Sequence, residues 1–245
     1  MPKVLYKMTP EQFVERLKSA LPASLKSVVL YGSAAAGDFL PGKSTYNLLV
    51  VLHRLGIAEL DALSVPVAEW TRNGNEPPLL FTTDEFKNFF DTFPIELADI
   101  RQSRKTLFGE DLMATIEFRQ DALRLQLEHE LNGKMLSLRR RFLQTRGKGS
   151  RITALMTESL STFLILFRAA LRLFQSEVPA VKFDALNELG KHISIDSAPF
   201  QSIRELISNG KTLGDRQAHE LFADYREAIE KLVTAINQRI RAKTP

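Results

Sequence analysis

The chain has 245 residues, 44% of them hydrophobic and 25% charged, with a formal net charge of +4. That is enough to bury a real core in one large or two modest domains. It excludes a low-complexity chain, and the mild basicity permits an anionic partner without demanding one. Cysteine is absent, which removes disulfides and thiolate metal sites and fits an unstapled cytoplasmic protein.

Met1 to Lys7 lack the apolar core of a signal peptide. Thr9-Pro10-Glu11-Gln12 reads as a helix start, with threonine capping, proline at the first helical position and Gln12 closing a capping box. Phe13, Leu17 and Leu21 follow at helical spacing. Leu25 to Tyr31 is a strand, continuous enough in Val28, Val29 and Leu30 to be buried on both faces. Gly32 and Ser33 open a short turn of small residues, followed by a loop at Pro41 and Gly42. Tyr46 to Leu52 is the return strand. Ile57 to Trp70 is a helix that Pro66 threatens to interrupt, and Pro78 to Phe81 a short strand. Thr83-Asp84-Glu85 caps a brief helix, and Pro94 to Ile100 reads as another strand. This alternation predicts an α/β unit over 1–115.

From Phe118 onward the pattern is helical. Leu123, Leu127, Leu131, Met135, Leu138 and Phe142 mark one long helix, and Ile152 to Phe174 a second that looks central to a bundle. Its most apolar run, Phe163 to Phe167, stops at Arg168 and is too short to span a bilayer. Shorter helices over Val178–Leu189 and Pro199–Ser208 close at Gly190 and Gly210. Phe222, Tyr225, Ile229, Leu232, Val233, Ile236 and Ile240 define an amphipathic last helix. The second half, 116–245, is thus a helical bundle of four or five helices.

The stretch Leu30 to Val51 resembles the DNA polymerase β-like nucleotidyltransferase superfamily, and within it the small bacterial branch related to kanamycin nucleotidyltransferase. That pattern is Gly-Ser, about a dozen residues, then acid-x-acid on the next strand. Gly32, Ser33, Gly37, Ser44 and the Leu48-Leu49-Val50 strand match. The resemblance implies an α/β nucleotidyltransferase-like domain followed by an all-α bundle. It further implies nucleotide contacts at Gly32, Ser33 and Gly37, and a functional cleft between the domains.

The acids do not match: Thr45 and Asn47 stand where the family places its metal-binding aspartates. The third acid, carried by a later strand, falls by similarity on Glu96, with Asp99 as the fallback. Losing a unit charge beside a cation costs about 4 kcal/mol at about 4 Å and moderate dielectric. Millimolar binding is worth only about 4 kcal/mol. The expectation is therefore a degenerate member with no resident metal, acting through nucleotide binding, a protein partner or self-association. The alternative is an active nucleotidyltransferase using magnesium in a rearranged site, with Asp38 one candidate ligand, acting on a small-molecule or protein hydroxyl.

Lys134 to Arg151 holds seven basic residues and no acid: Lys134, Arg139, Arg140, Arg141, Arg146, Lys148 and Arg151. It gives a second alternative, nucleic-acid binding through sequence-blind phosphate contacts. A solvated helix end is the plainer reading. Arg101, Arg104 and Lys105 are further candidate anion contacts, or plain surface charges. Arg124 and His129 sit five apart, about 140° around a helix, and so share no face. His53, His192 and His219 read as surface or helix-end residues, and Trp70 as an edge-of-core residue.

Overall fold

Thr9 caps the first helix, α1 (Pro10–Ala20). Its hydroxyl accepts from Gln12 N at 3.3 Å, and Gln12 Oε1 accepts from Thr9 N at 2.9 Å. This reciprocal box satisfies two backbone donors that the helix start leaves orphaned. The structure, a computed structural model, describes residues 8–36, 45–116 and 119–242. The chain divides after Arg119 into two compact units.

In the first unit α1 is followed by β1 (Leu25–Tyr31), α2 (Ser33–Ala36), β2 (Asn47–Leu52) and α3 (Ile57–Thr71). Then come β3 (Leu79–Thr82), α4 (Thr83–Thr92), α5 (Pro94–Gln102), β4 (Arg104–Gly109) and a 3-10 turn over Leu112–Thr115. The sheet order is β3-β2-β1-β4. β1 runs antiparallel to β2 and β4, and β2 runs parallel to β3.

Alternation along β1 and β2 splits the core into two layers. Val28, Leu30, Leu48, Val50 and Leu52 pack with Phe13 and Leu17 of α1 and Leu63 and Trp70 of α3. Val29, Leu49 and Val51 pack with Phe86, Leu97, Ile100 and Met113. Both strands are buried on both faces, as their continuous apolar runs predict. Trp70 is not at the edge of this core but fully buried. Its ring stacks on Phe13 at 4.7 Å, and its Nε1 donates to Glu76 O at 2.9 Å. Pro66 lies inside α3 without ending it.

One element departs from expectation. Pro94 to Ile100 is not a strand but lies in helix α5. Its buried residues Pro94, Ile95, Leu97, Ala98 and Ile100 come in adjacent pairs three apart, a helical stripe rather than a two-residue alternation. Pro94 also occupies the first helical position, where its missing N–H costs nothing. The last strand of the unit is β4, eight residues further along the chain than Glu96 at its start.

The second unit comprises, among the described residues, α6 (Gln120–Gln144), α7 (Gly149–Leu171), α8 (Lys182–Leu189), α9 (Ala198–Asn209) and α10 (Asp215–Ala242). α7 is its centre and packs against each of the other four. Phe167 and Tyr225 each meet Phe200 edge-on, and Phe163 meets Tyr225 in the same way. α7 is, by length and composition, apolar enough to cross a membrane, contrary to the short apolar run read from the sequence. The span counts its small residues, Ala, Ser and Thr, as well as the run before Arg168. In its most apolar window 61% of the residues are buried within the protein.

The two helix-ending glycines differ. Gly210 adopts φ +60° and closes α9 in the left-handed conformation. Gly190 stays right-handed at φ −59°. Gly149 is needed for a close approach: a Cβ there would lie 2.6 Å from Leu213 O.

Candidate functional site

The sequence motif folds into a turn at the end of β1. Gly32 has φ +77°, a conformation other residues adopt only at a cost. Its carbonyl accepts from Ala35 N and Ala36 N, each at 3.0 Å, which starts α2 at Ser33. Its N–H donates to Ser103 O at 3.0 Å, so the turn is pinned to the residue that precedes β4. A Cβ on Gly32 would lie 3.0 Å from Asn47 Nδ2. The missing side chain is therefore the space that the Asn47 amide borders.

Sheet register sets what surrounds this turn. Tyr31 pairs with Asn47 on one side and with Arg104 on the other. Directly opposed residues of antiparallel strands share a face, so Arg104, Tyr31 and Asn47 form one row. Thr45 lies two residues before Asn47, ahead of the first residue of β2 and half-buried. On β3 that face is represented by Leu79 and Phe81, opposite Leu49 and Val51. Leu79, opposite Leu49 and so two residues along from Asn47, is 38% exposed, so the start of β3 on this face is open but apolar.

Neither later strand carries an acid. β3 is Leu-Leu-Phe-Thr and β4 is Arg-Lys-Thr-Leu-Phe-Gly. Glu96 and Asp99 lie instead on α5, where Glu96 is exposed and Asp99 half-buried. Among the described residues no group of three or more His, Asp or Glu side chains is placed to hold a metal ion. Gly37, Asp38 and Ser44 lie outside the described residues. The donors present do not suit magnesium, which selects charged oxygen ligands: Thr45 and Asn47 are neutral, and Leu79 offers no donor.

The nearest cation is already engaged. Arg104 Nη2 donates to Asp111 Oδ2 at 2.8 Å, and its Nε lies 3.2 Å from Oδ1. Its Nη1 donates to Arg101 O, and Arg101 Nη1 in turn donates to Ile116 O at 3.3 Å. Asp111 also accepts from Met113 N at 3.2 Å, capping the 3-10 turn. The hydrogen bond from Arg104 holds the Asp111 carboxyl below its ordinary range, and burial pushes the Tyr31 phenol up. Lys105 pairs with Leu30 and so belongs to the opposite face, where it is exposed.

The structure thus brings Gly32, Thr45, Asn47 and Arg104 to one end of the sheet, and leaves Glu96 on a separate helix. The basic segment lies in the other unit and is partly neutralised. Arg139 bonds Glu230 at 2.9 Å, Arg141 bonds Glu158, and Lys134 lies 3.4 Å from Glu130. Arg140, Arg146, Lys148 and Arg151 are exposed and make no ion pair among the described residues. His53, His192 and His219 are exposed, as expected. Leu79 and Asp111 escaped the sequence reading. Asp111 had one local signal, a capping residue before the turn at Leu112; Leu79 had none, because only strand register marks it.

No protein-family profile matches the chain, and no curated protein does. Among solved structures it is similar to the spectinomycin adenyltransferase AAD(9) from Enterococcus faecialis, crystallised with ATP and spectinomycin. The match has a TM-score of 0.55 at 12% identity, and covers 95% of this chain and 100% of that one. The fold is therefore nucleotidyltransferase-like: a small mixed-sheet domain followed by a helical region.

Proposed function

We propose that this chain is a nucleotidyltransferase-fold protein that has lost transfer chemistry and acts by binding a nucleotide at the Gly32 turn. One observation carries the reading. Asn47 borders Gly32, Thr45 stands just before it, and neither β2 nor β3 carries an acid, whereas a metal-dependent transferase would need carboxylates there. The neighbouring structure was solved with ATP, which supports a nucleotide as the ligand class. Gly32 would let a phosphate approach the backbone, and the Asn47 amide would donate to it. Two neutral oxygens in place of two charges leave no ordinary means of holding magnesium.

The test is calorimetric titration of ATP and GTP, with and without magnesium, beside an assay for nucleotidyl transfer. Binding is expected to be indifferent to magnesium, and transfer to be undetectable. The variant Thr45→Asp with Asn47→Asp and Leu79→Glu is expected to make binding magnesium-dependent. Magnesium-dependent transfer by the natural chain would overturn the reading. Transfer that survives loss of Glu96 but not of Asp38 would locate a rearranged metal site.

A further inference from the structure

The seven basic residues between Lys134 and Arg151 divide by position. Lys134, Arg139 and Arg141 lie along α6 and are answered by Glu130, Glu230 and Glu158. Arg140, Arg146, Lys148 and Arg151 are exposed and have no acid partner among the described residues. These four stand at one end of the second unit. α6 ends at Gln144 and α7 starts at Gly149, so Arg140 is about 6 Å from the connection along its helix axis and Arg151 about 3 Å. Arg146 and Lys148 are in the connection itself.

That connection is a tightly held turn. Thr145 is buried. Its hydroxyl donates to Phe142 O at 2.7 Å and accepts from Gly147 N at 3.3 Å, and Lys148 N donates to Thr145 O at 3.1 Å. Arg146 takes φ +53° and Gly147 φ +70°. Among the described residues Arg146 alone, other than glycines, has a positive φ, a conformation that glycine would adopt at lower cost. The acids that come near are engaged elsewhere. Asp215 accepts from Gly149 N at 2.7 Å, and Glu220 pairs with Arg216 at 2.9 Å. The start of α7 is thus already capped from α10, and what the turn offers is unpaired side-chain charge.

We propose that this turn grips the phosphate backbone of a nucleic-acid duplex, without regard to sequence, through Arg140, Arg146, Lys148 and Arg151. These cations break no ion pair on meeting phosphates, and their arrival releases counterions from the duplex. Three of the four are arginines, whose planar guanidinium matches phosphate oxygens in pairs. A single strand suits the turn less, because it binds by stacking its bases on exposed rings. The one ring in the stretch, Phe142, is stacked on Phe222 at 4.3 Å. An acidic protein also suits it less, because such an interface centres on buried aromatic anchors and the turn offers none. The turn belongs to the second unit and Gly32 to the first, so this inference does not rest on the nucleotide reading.

The test uses the full chain and fluorescence anisotropy, with a short labelled DNA duplex of mixed sequence and each of its single strands as probes. Four phosphate contacts give a slope of log affinity against log salt of about −3.6, which is a loss of about 150-fold between about 50 and 200 mM salt. Arg140→Gln with Lys148→Gln and Arg151→Gln is expected to leave a slope of about −0.9. Arg16→Gln with Arg72→Gln and Lys87→Gln removes the same charge from the first unit and should leave the slope unchanged. Arg146→Gly should shrink the slope by about 0.9 while the urea midpoint holds or rises, which separates a phosphate contact from a structural role. A natural chain with no affinity for the duplex at low salt would overturn the proposal. So would a slope that the turn variants leave in place, or one that the first-unit variant reduces equally, which would mean net charge alone. Tighter binding of the single strands, or binding of poly-glutamate in place of the duplex, would also overturn it and assign the turn to a different partner.

Discussion

Gly32 and Asn47 are coupled through a shared volume. Replacing Gly32 by alanine forces a side chain into φ +77° and sets it 3.0 Å from the Asn47 amide. The expected loss is about 1–2 kcal/mol for the backbone conformation alone, read from urea unfolding. Asn47→Ala in the same chain should recover part of the loss, a non-additivity confined to neighbours. Asp111 gives a pH test. Its folded carboxyl titrates below the ordinary range because Arg104 donates to it. A depressed pKa contributes stability above the unfolded value, about 3.9 for aspartate, which is lost as pH falls from there toward the folded value. The side chain is 37% exposed, so the amount is no more than about 1 kcal/mol. Asp111→Asn should flatten that part of the acid limb of stability against pH and leave the neutral plateau little lower.

Elements whose pattern had one physical reading were legible in advance. β1 and β2 are runs such as Val28-Val29-Leu30, which no amphipathic helix would carry beside a Gly-Ser turn. α7 has one charge between Arg151 and Arg168, as a bundle's centre requires. α5 was not legible as a helix, because Ile95-Glu96-Leu97 reads apolar-acid-apolar and imitates a strand, while the adjacent pairs Pro94-Ile95 and Leu97-Ala98 carry the true period. At the candidate site, the Gly32 turn and the strand that begins at Asn47 were legible because the pattern is local. Leu79 and the Arg104–Asp111 pair were not, because strand register and a later turn bring them in. Between elements, the start of α7 depends on α10: Gly149 N donates to Asp215 Oδ1 at 2.7 Å. Thr153 Oγ1, bonded to Gly149 O at 2.8 Å, accepts from Leu213 N at 3.2 Å. Asp215→Ala should cost about 1–2 kcal/mol in thermal or urea unfolding, since it leaves a part-buried N–H unmatched. Asp215→Asn should recover most of it.

Across the whole molecule, a nucleotidyltransferase-like fold is built on four described strands that carry no acid, and fold alone does not decide what such a sheet does. The Arg104–Asp111 pair bears on that question. Any incoming phosphate must compete with a resident carboxylate for the same guanidinium. Acidification that neutralises Asp111 would weaken the protein and yet release its cation toward an anionic guest. Asp111→Asn should do the same at neutral pH, tightening ATP binding while slightly lowering stability. Opposite signs in the two readouts would mark Arg104 as a donor held in reserve rather than a strut.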